Sequence, residues 1–173
     1  MQNLFEKAYF IVYNNTSEYI MIKILFVCHG NICRSPMAEY VFKDLIKKEH
    51  LDNRFYVTSM ATSTEELGSG IYPNAEDQLI KHNISGFENH CAKQFRLSDY
   101  DRFDYILVMD KMNLYNLKRI IGSDPNGKVH KLLDYTEQKG EIEDPWYTRN
   151  FDKVYNQIYS ACKSFLEYLK AQA

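Results

Sequence analysis

Residues 22–27 form an apolar run broken only by Lys23, and a helix start follows within a few residues. A buried strand that hands over at once to a helix is the first half of a βαβ unit. The turn between them, His29-Gly30-Asn31, is short, and Gly30 allows a backbone path that other residues strain. Ser35-Pro36 then predicts a helix, with Ser35 as its cap and Pro36 at its first position. Met37, Tyr40, Val41, Leu45 and Ile46 give that helix one apolar face, and Lys47-Lys48 suits its C-terminal end.

The alternation continues along the chain. Strands are predicted at 54–59, 103–109 and 129–133. Helices are predicted at 74–82, 111–121 and 151–169, with a short one at 97–101. Residues 62–73, 122–127 and 140–150 read as loops. This order predicts an α/β fold, a doubly wound four-stranded parallel sheet flanked by helices on both faces. Right-handed crossovers then bring ligands to the carboxyl ends of the strands.

At 173 residues the chain suits one domain. Residues 1–20 show no clean period and read as an N-terminal extension ahead of a single domain at 21–173. Met21 stands at the junction, and both an internal start there and an ordered arm are open. A net charge of −2 argues against nucleic-acid partners. Apolar runs are strand-length, which argues against a membrane span, and residues 8–13 are too short for a signal-peptide core. The expected location is cytoplasmic.

The turn after the first strand carries the chemistry. It reads Cys28-His29-Gly30-Asn31-Ile32-Cys33-Arg34-Ser35. Successive backbone N–H groups there, with the dipole of the following helix, make a cradle for an anion. Arg34 adds a planar fork matched to phosphate oxygens. A cysteine at the start of such a nest is favoured as thiolate and is therefore nucleophilic, and Ser35 is placed to donate a hydroxyl to its sulfur. A cysteine alone at a strand end is usually only a core residue. The coincidence of Cys28, the loop and Arg34 in one strand–loop–helix argues for catalysis. The four cysteines, Cys28, Cys33, Cys91 and Cys162, lack zinc-site spacing, so neither a metal nor another cofactor is expected. Cys91 and Cys162 fall in helical patterns and read as core thiols.

This loop resembles the phosphate loop of the low-molecular-weight protein tyrosine phosphatases. The resemblance extends over residues 22 to about 170. It also rests on Phe103-Asp104-Tyr105-Ile106-Leu107-Val108-Met109-Asp110 and on Glu143-Asp144-Pro145-Trp146-Tyr147. It implies hydrolysis of protein phosphotyrosine through a phosphocysteine on Cys28. Arg34 and the loop amides of His29, Gly30, Asn31, Ile32 and Cys33 hold the phosphoryl oxygens. Asp144 acts as general acid and must carry a proton in the first step. Trp146 and Tyr147 wall a slot deep enough to favour a phenyl phosphate over a phosphoserine. Asn31, Ser35, Ser59, His90 and Asp110 support the loop from behind. Cys33 is a candidate disulfide partner for Cys28 under oxidation.

The partners this resemblance implies are phosphotyrosine proteins and, as in bacterial members, an opposing tyrosine kinase. Glu65 stands where some members carry an aromatic residue, and an acid at the rim disfavours acidic phosphopeptides. His29 replaces an aliphatic residue and also alters the rim. An arginine phosphatase of the same family is the nearest rival, but those members resemble this loop with Thr in place of Ile32. An arsenate reductase lacks its relay cysteines here. A non-catalytic phosphate-binding module has no use for Cys28, Arg34 and Asp144 together.

Overall fold

The computed structural model describes residues 20–172. The extension expected at 1–20 therefore lies almost wholly outside the described residues. Four parallel strands stand in the order β2-β1-β3-β4: β1 Ile22–Cys28, β2 Phe55–Ala61, β3 Tyr105–Val108 and β4 Val129–Lys131. The helices are α1 Arg34–Lys48, α2 Pro73–Lys81, α3 Lys111–Ile121, α4 Pro145–Thr148 and α5 Phe151–Ala171. Short 3-10 turns cover Asp52–Arg54, Leu97–Arg102 and Leu132–Tyr135.

The strand alternation of β1 builds two cores. Ile24, Phe26 and Cys28 face a cluster with Met37, Val41 and Phe42 of α1 and Val154, Ile158 and Phe165 of α5. Leu25 and Val27 face the opposite cluster, with Leu117 and Ile121 of α3 and with Phe95, Tyr100 and Phe103. Both faces of β1 are therefore buried, which is why it reads as a continuous apolar run rather than an alternating one. Phe42 is the hinge of the larger core, with its ring centroid 5.9 Å from Phe26, 6.0 Å from Phe55 and 5.7 Å from Phe165.

Most expected elements stand within a few residues of their predicted bounds, and three differences have local causes. β4 stops at Lys131 because the Asp134 carboxylate takes the Lys131 N–H (3.0 Å) and turns the chain into a 3-10 helix. The loop expected at 140–150 contains α4, whose cap is Asp144: its carboxylate accepts the Trp146 N–H at 3.0 Å. Ser35 does not cap α1. The helix starts two residues earlier, at Arg34, Cys33 is its cap residue without a side-chain bond, and Ser35 is fully buried. Cys162 is a core thiol as expected, bonded to the Ala38 carbonyl at 3.8 Å. Cys91 is instead exposed in a loop, because the apparent helical spacing there is not realised.

The chain leaves β1 for β2 on one side and then crosses to β3 on the other. The strand order thus reverses between β1 and β3, and the loop after β1 and Asp110 after β3 meet at that crevice.

Candidate active site

Cys28 ends β1 and is 4% exposed. Its sulfur receives the backbone N–H of Asn31 at 3.3 Å and lies 3.0 Å from the Ser35 hydroxyl. The direction of the second bond follows from Asn31. Its Nδ2 donates to Ser35 Oγ at 2.9 Å and to Ser59 Oγ at 2.7 Å. Both hydroxyls are thereby made acceptors, so each turns its own proton elsewhere. Ser59 donates to Glu39 Oε2 at 2.6 Å, and Ser35 donates to Cys28 Sγ. Two donors converge on the sulfur, an arrangement that stabilises a thiolate.

Asn31 is the keystone of the loop. It is fully buried and its φ is 58°, a left-handed conformation that Asn tolerates better than most residues. Its Oδ1 accepts the Lys93 N–H at 3.1 Å, and its carbonyl accepts from His90 Nε2 at 2.9 Å. Donation to a carbonyl requires the Nε2–H tautomer. Burial holds His90 below the ordinary histidine range, which keeps the ring neutral. Gly30 is crowded from outside: a Cβ there would meet Glu66 Cγ at 3.3 Å.

Arg34 is 2% exposed and ties the three motifs together. Nη1 donates to Asp110 Oδ2 at 2.5 Å and to the Ile142 carbonyl at 3.1 Å, and Nη2 donates to Asp144 Oδ2 at 2.6 Å. Asp110 is fixed in turn as the cap of α3, accepting the Asn113 N–H at 2.6 Å. Burial works against the guanidinium's charge, but Cys28, Asp144 and Asp110 together raise its pKa, so the fork stays charged. Cys33 is a free thiol, as is Cys28, and burial with the nearby charge of Cys28 pushes the Cys33 thiol upward.

The structure thus gathers these residues into two hydrogen-bonded groups, Cys28 with Ser35, Asn31, Ser59 and His90, and Arg34 with Asp110 and Asp144, which meet through the electrostatic attraction between Cys28 and Arg34. The aromatic pair divides. Trp146 packs edge-on against Tyr72 (5.3 Å), with the Arg149 guanidinium 5.2 Å over its ring. Tyr147 projects outward, 82% exposed. At the rim His29 Nε2 lies 3.1 Å from Glu65 Oε2. Four contributors have no motif in the sequence: Glu39 and Lys93 behind the loop, the carbonyl of Ile142, and Tyr72, whose N–H is bound by the Ile32 carbonyl at 2.8 Å. Glu39 alone leaves a trace, an acid on the apolar face of α1 four residues before Lys43.

The family model described as low molecular weight phosphotyrosine protein phosphatase matches residues 23–173. The chain belongs to this family. It is 44% identical over 149 residues to the low molecular weight phosphotyrosine protein phosphatase of Gallus gallus, covering 83% of this chain and 93% of that protein. It is 37% identical over 148 residues to the low molecular weight protein-tyrosine-phosphatase YfkJ of Bacillus subtilis, covering 84% of this chain and 94% of that protein. The crystal structure of YfkJ superposes with a TM-score of 0.84 over 88% of this chain and 96% of that chain, at 36% identity. A Drosophila arginine phosphatase superposes with a TM-score of 0.78 over 86% of this chain and 98% of that chain, at 32% identity. The expected fold is therefore observed, and the family resemblance of the sequence holds over the length expected.

Proposed function

We propose that this member of the phosphatase family hydrolyses phosphotyrosine in proteins, with Cys28 as nucleophile, Arg34 as phosphoryl clamp and Asp144 as general acid. The observation that carries this reading is the geometry around Arg34, whose two terminal nitrogens reach Asp110 and Asp144 beside a doubly hydrogen-bonded Cys28 sulfur.

In the first step a sulfur electron pair of Cys28 forms the S–P bond while the bond from phosphorus to the tyrosyl oxygen breaks. The proton on Asp144 passes to that oxygen, and tyrosine leaves neutral. In the second step water gives a proton to the Asp144 carboxylate, its oxygen bonds to phosphorus, and the S–P bond breaks. Phosphate departs and the thiolate is restored. Arg34 and the loop amides carry the charge of the equatorial oxygens through both steps, which is positioning and electrostatics rather than redox chemistry. A phosphoryl group on Arg34 competes with Asp144 for Nη2, so substrate binding frees the carboxyl to turn toward the leaving oxygen.

Trp146, backed by Tyr72, supports recognition of an aromatic ester, with Tyr147 at the mouth. Cys33 is the resolving thiol for an oxidised Cys28. The partners on this reading are phosphotyrosine proteins and the kinase that makes them, met in the cytoplasm by a domain spanning 21–173 behind an extension at 1–20. Among the described residues no helix is long and apolar enough to cross a membrane.

The likeness to an arginine phosphatase supports one second reading, hydrolysis of phosphoarginine. Ile32 offers that substrate no hydroxyl. Phosphate release from matched phosphotyrosine, phosphoarginine and phosphoserine peptides decides between them, with Cys28→Ser as control. Turnover of phosphotyrosine alone, lost in the variant, supports the proposal. A preference for phosphoarginine overturns it.

A further inference from the structure

Three consecutive residues tie the acid loop to three different parts of the molecule. Ile142 is fully buried; its N–H binds the Met109 carbonyl at 2.9 Å and its own carbonyl receives Arg34. Asp144 reaches Arg34 with one oxygen and the Trp146 N–H with the other. Between them Glu143 binds outward. Its Oε2 pairs with Lys153 Nζ, and its Oε1 accepts the Thr148 hydroxyl at 3.1 Å. Lys153 lies in the first turn of α5, where the cap Asn150 accepts its N–H at 3.1 Å. That turn is anchored by Phe151, Val154 and Tyr155, all buried in the larger core.

These anchors differ in what substrate does to them. A bound phosphoryl group competes for Arg34 and so loosens Asp144 from it. The contacts of Glu143 lie outside the fork and persist. We propose that Glu143, clamped by Lys153 and Thr148, is a positioning residue that keeps the Asp144 carboxyl over the phosphate loop once substrate has displaced it from Arg34. Lys153 and the Thr148 hydroxyl hold the Glu143 carboxyl below the usual range, so the clamp stays charged across the working pH. The inference rests on the reading of Asp144 as general acid.

The test compares kcat/KM for phenyl phosphate, whose leaving oxygen needs a proton, with that for 2,4-dinitrophenyl phosphate, which needs none. Lys153→Ala and Glu143→Gln are expected to lose about three- to fivefold on phenyl phosphate, the scale of a part-exposed ion pair spent on orientation, and little on the dinitrophenyl ester. Lys153→Arg is expected to recover the loss. Equal losses on both esters, or none on either, overturn the clamp. Asp144→Asn, measured alongside, separates the two claims. If it discriminates between the esters and the clamp variants do not, the clamp alone fails. If Asp144→Asn shows no discrimination, the acid assignment fails and the clamp with it.

Discussion

Single side chains here act through the direction of one proton. Because Asn31 forces the Ser35 hydroxyl toward Cys28, Ser35→Ala removes a donor to a charged sulfur. Such bonds contribute about 1.5–3 kcal/mol, so kcat is expected to fall roughly tenfold to a hundredfold in steady-state assays. At the rim, Glu65→Gln is expected to raise kcat/KM for phosphopeptides with acidic flanks by about two- to fivefold at low salt, with the gain shrinking as salt is added. His90 gives a stability prediction. Its folded-state pKa is depressed, so its contribution is fully present above the unfolded value of about 6.5 and is lost as pH falls through the folded one. Urea midpoints between pH 7.5 and 5.5 should therefore drop more steeply in the parent than in His90→Asn. The same scale shows what a sequence hides. Ser35 followed by Pro36 has the local signature of a helix cap, but a buried sulfur and a buried amide claim its hydroxyl instead. Lys93 and Tyr72 gain their roles only through distant contacts, so no local pattern marks them, and the acid at Glu39 on an apolar helix face does not by itself show that it holds Ser59.

Elements were legible where one physical determinant dominated. β1 is apolar on both faces because it separates two cores, and α3 has its expected bounds because Asp110 caps it and Gly122 (φ 73°) ends it. β4 is shorter than its apolar pattern predicts because Leu132 is as apolar as a strand residue, while the Asp134 side chain ends the ladder. α4 leaves no periodic signal because it has only four residues, although Asp144-Pro145 is a cap followed by proline at the first helical position. The packing of α1 against the sheet passes through Phe42 and three other rings. Phe42→Ala is expected to cost about 3–5 kcal/mol in urea unfolding, since the cavity is walled by elements that cannot close over it.

At the scale of the whole molecule, the candidate catalytic cluster exists because the topology reverses between β1 and β3. That reversal places the loop after β1, the cap of α3 and the acid loop before α4 around one guanidinium. The three motifs were visible in the sequence, and family resemblance assigned their roles. Their convergence on Arg34, with the Ile142 carbonyl as a further acceptor, is a property of the folded chain alone. The central claim is that the reaction passes through a phosphoryl group on Cys28. Rapid mixing with 4-nitrophenyl phosphate, acid quenching within the first turnover and peptide mapping by mass spectrometry test it directly. The account predicts a phosphoryl group on the peptide carrying Cys28, formed as nitrophenol is released and absent in Cys28→Ser. Nitrophenol release with no phosphoryl group on Cys28, or its continuation at the parent rate in Cys28→Ser, would contradict it.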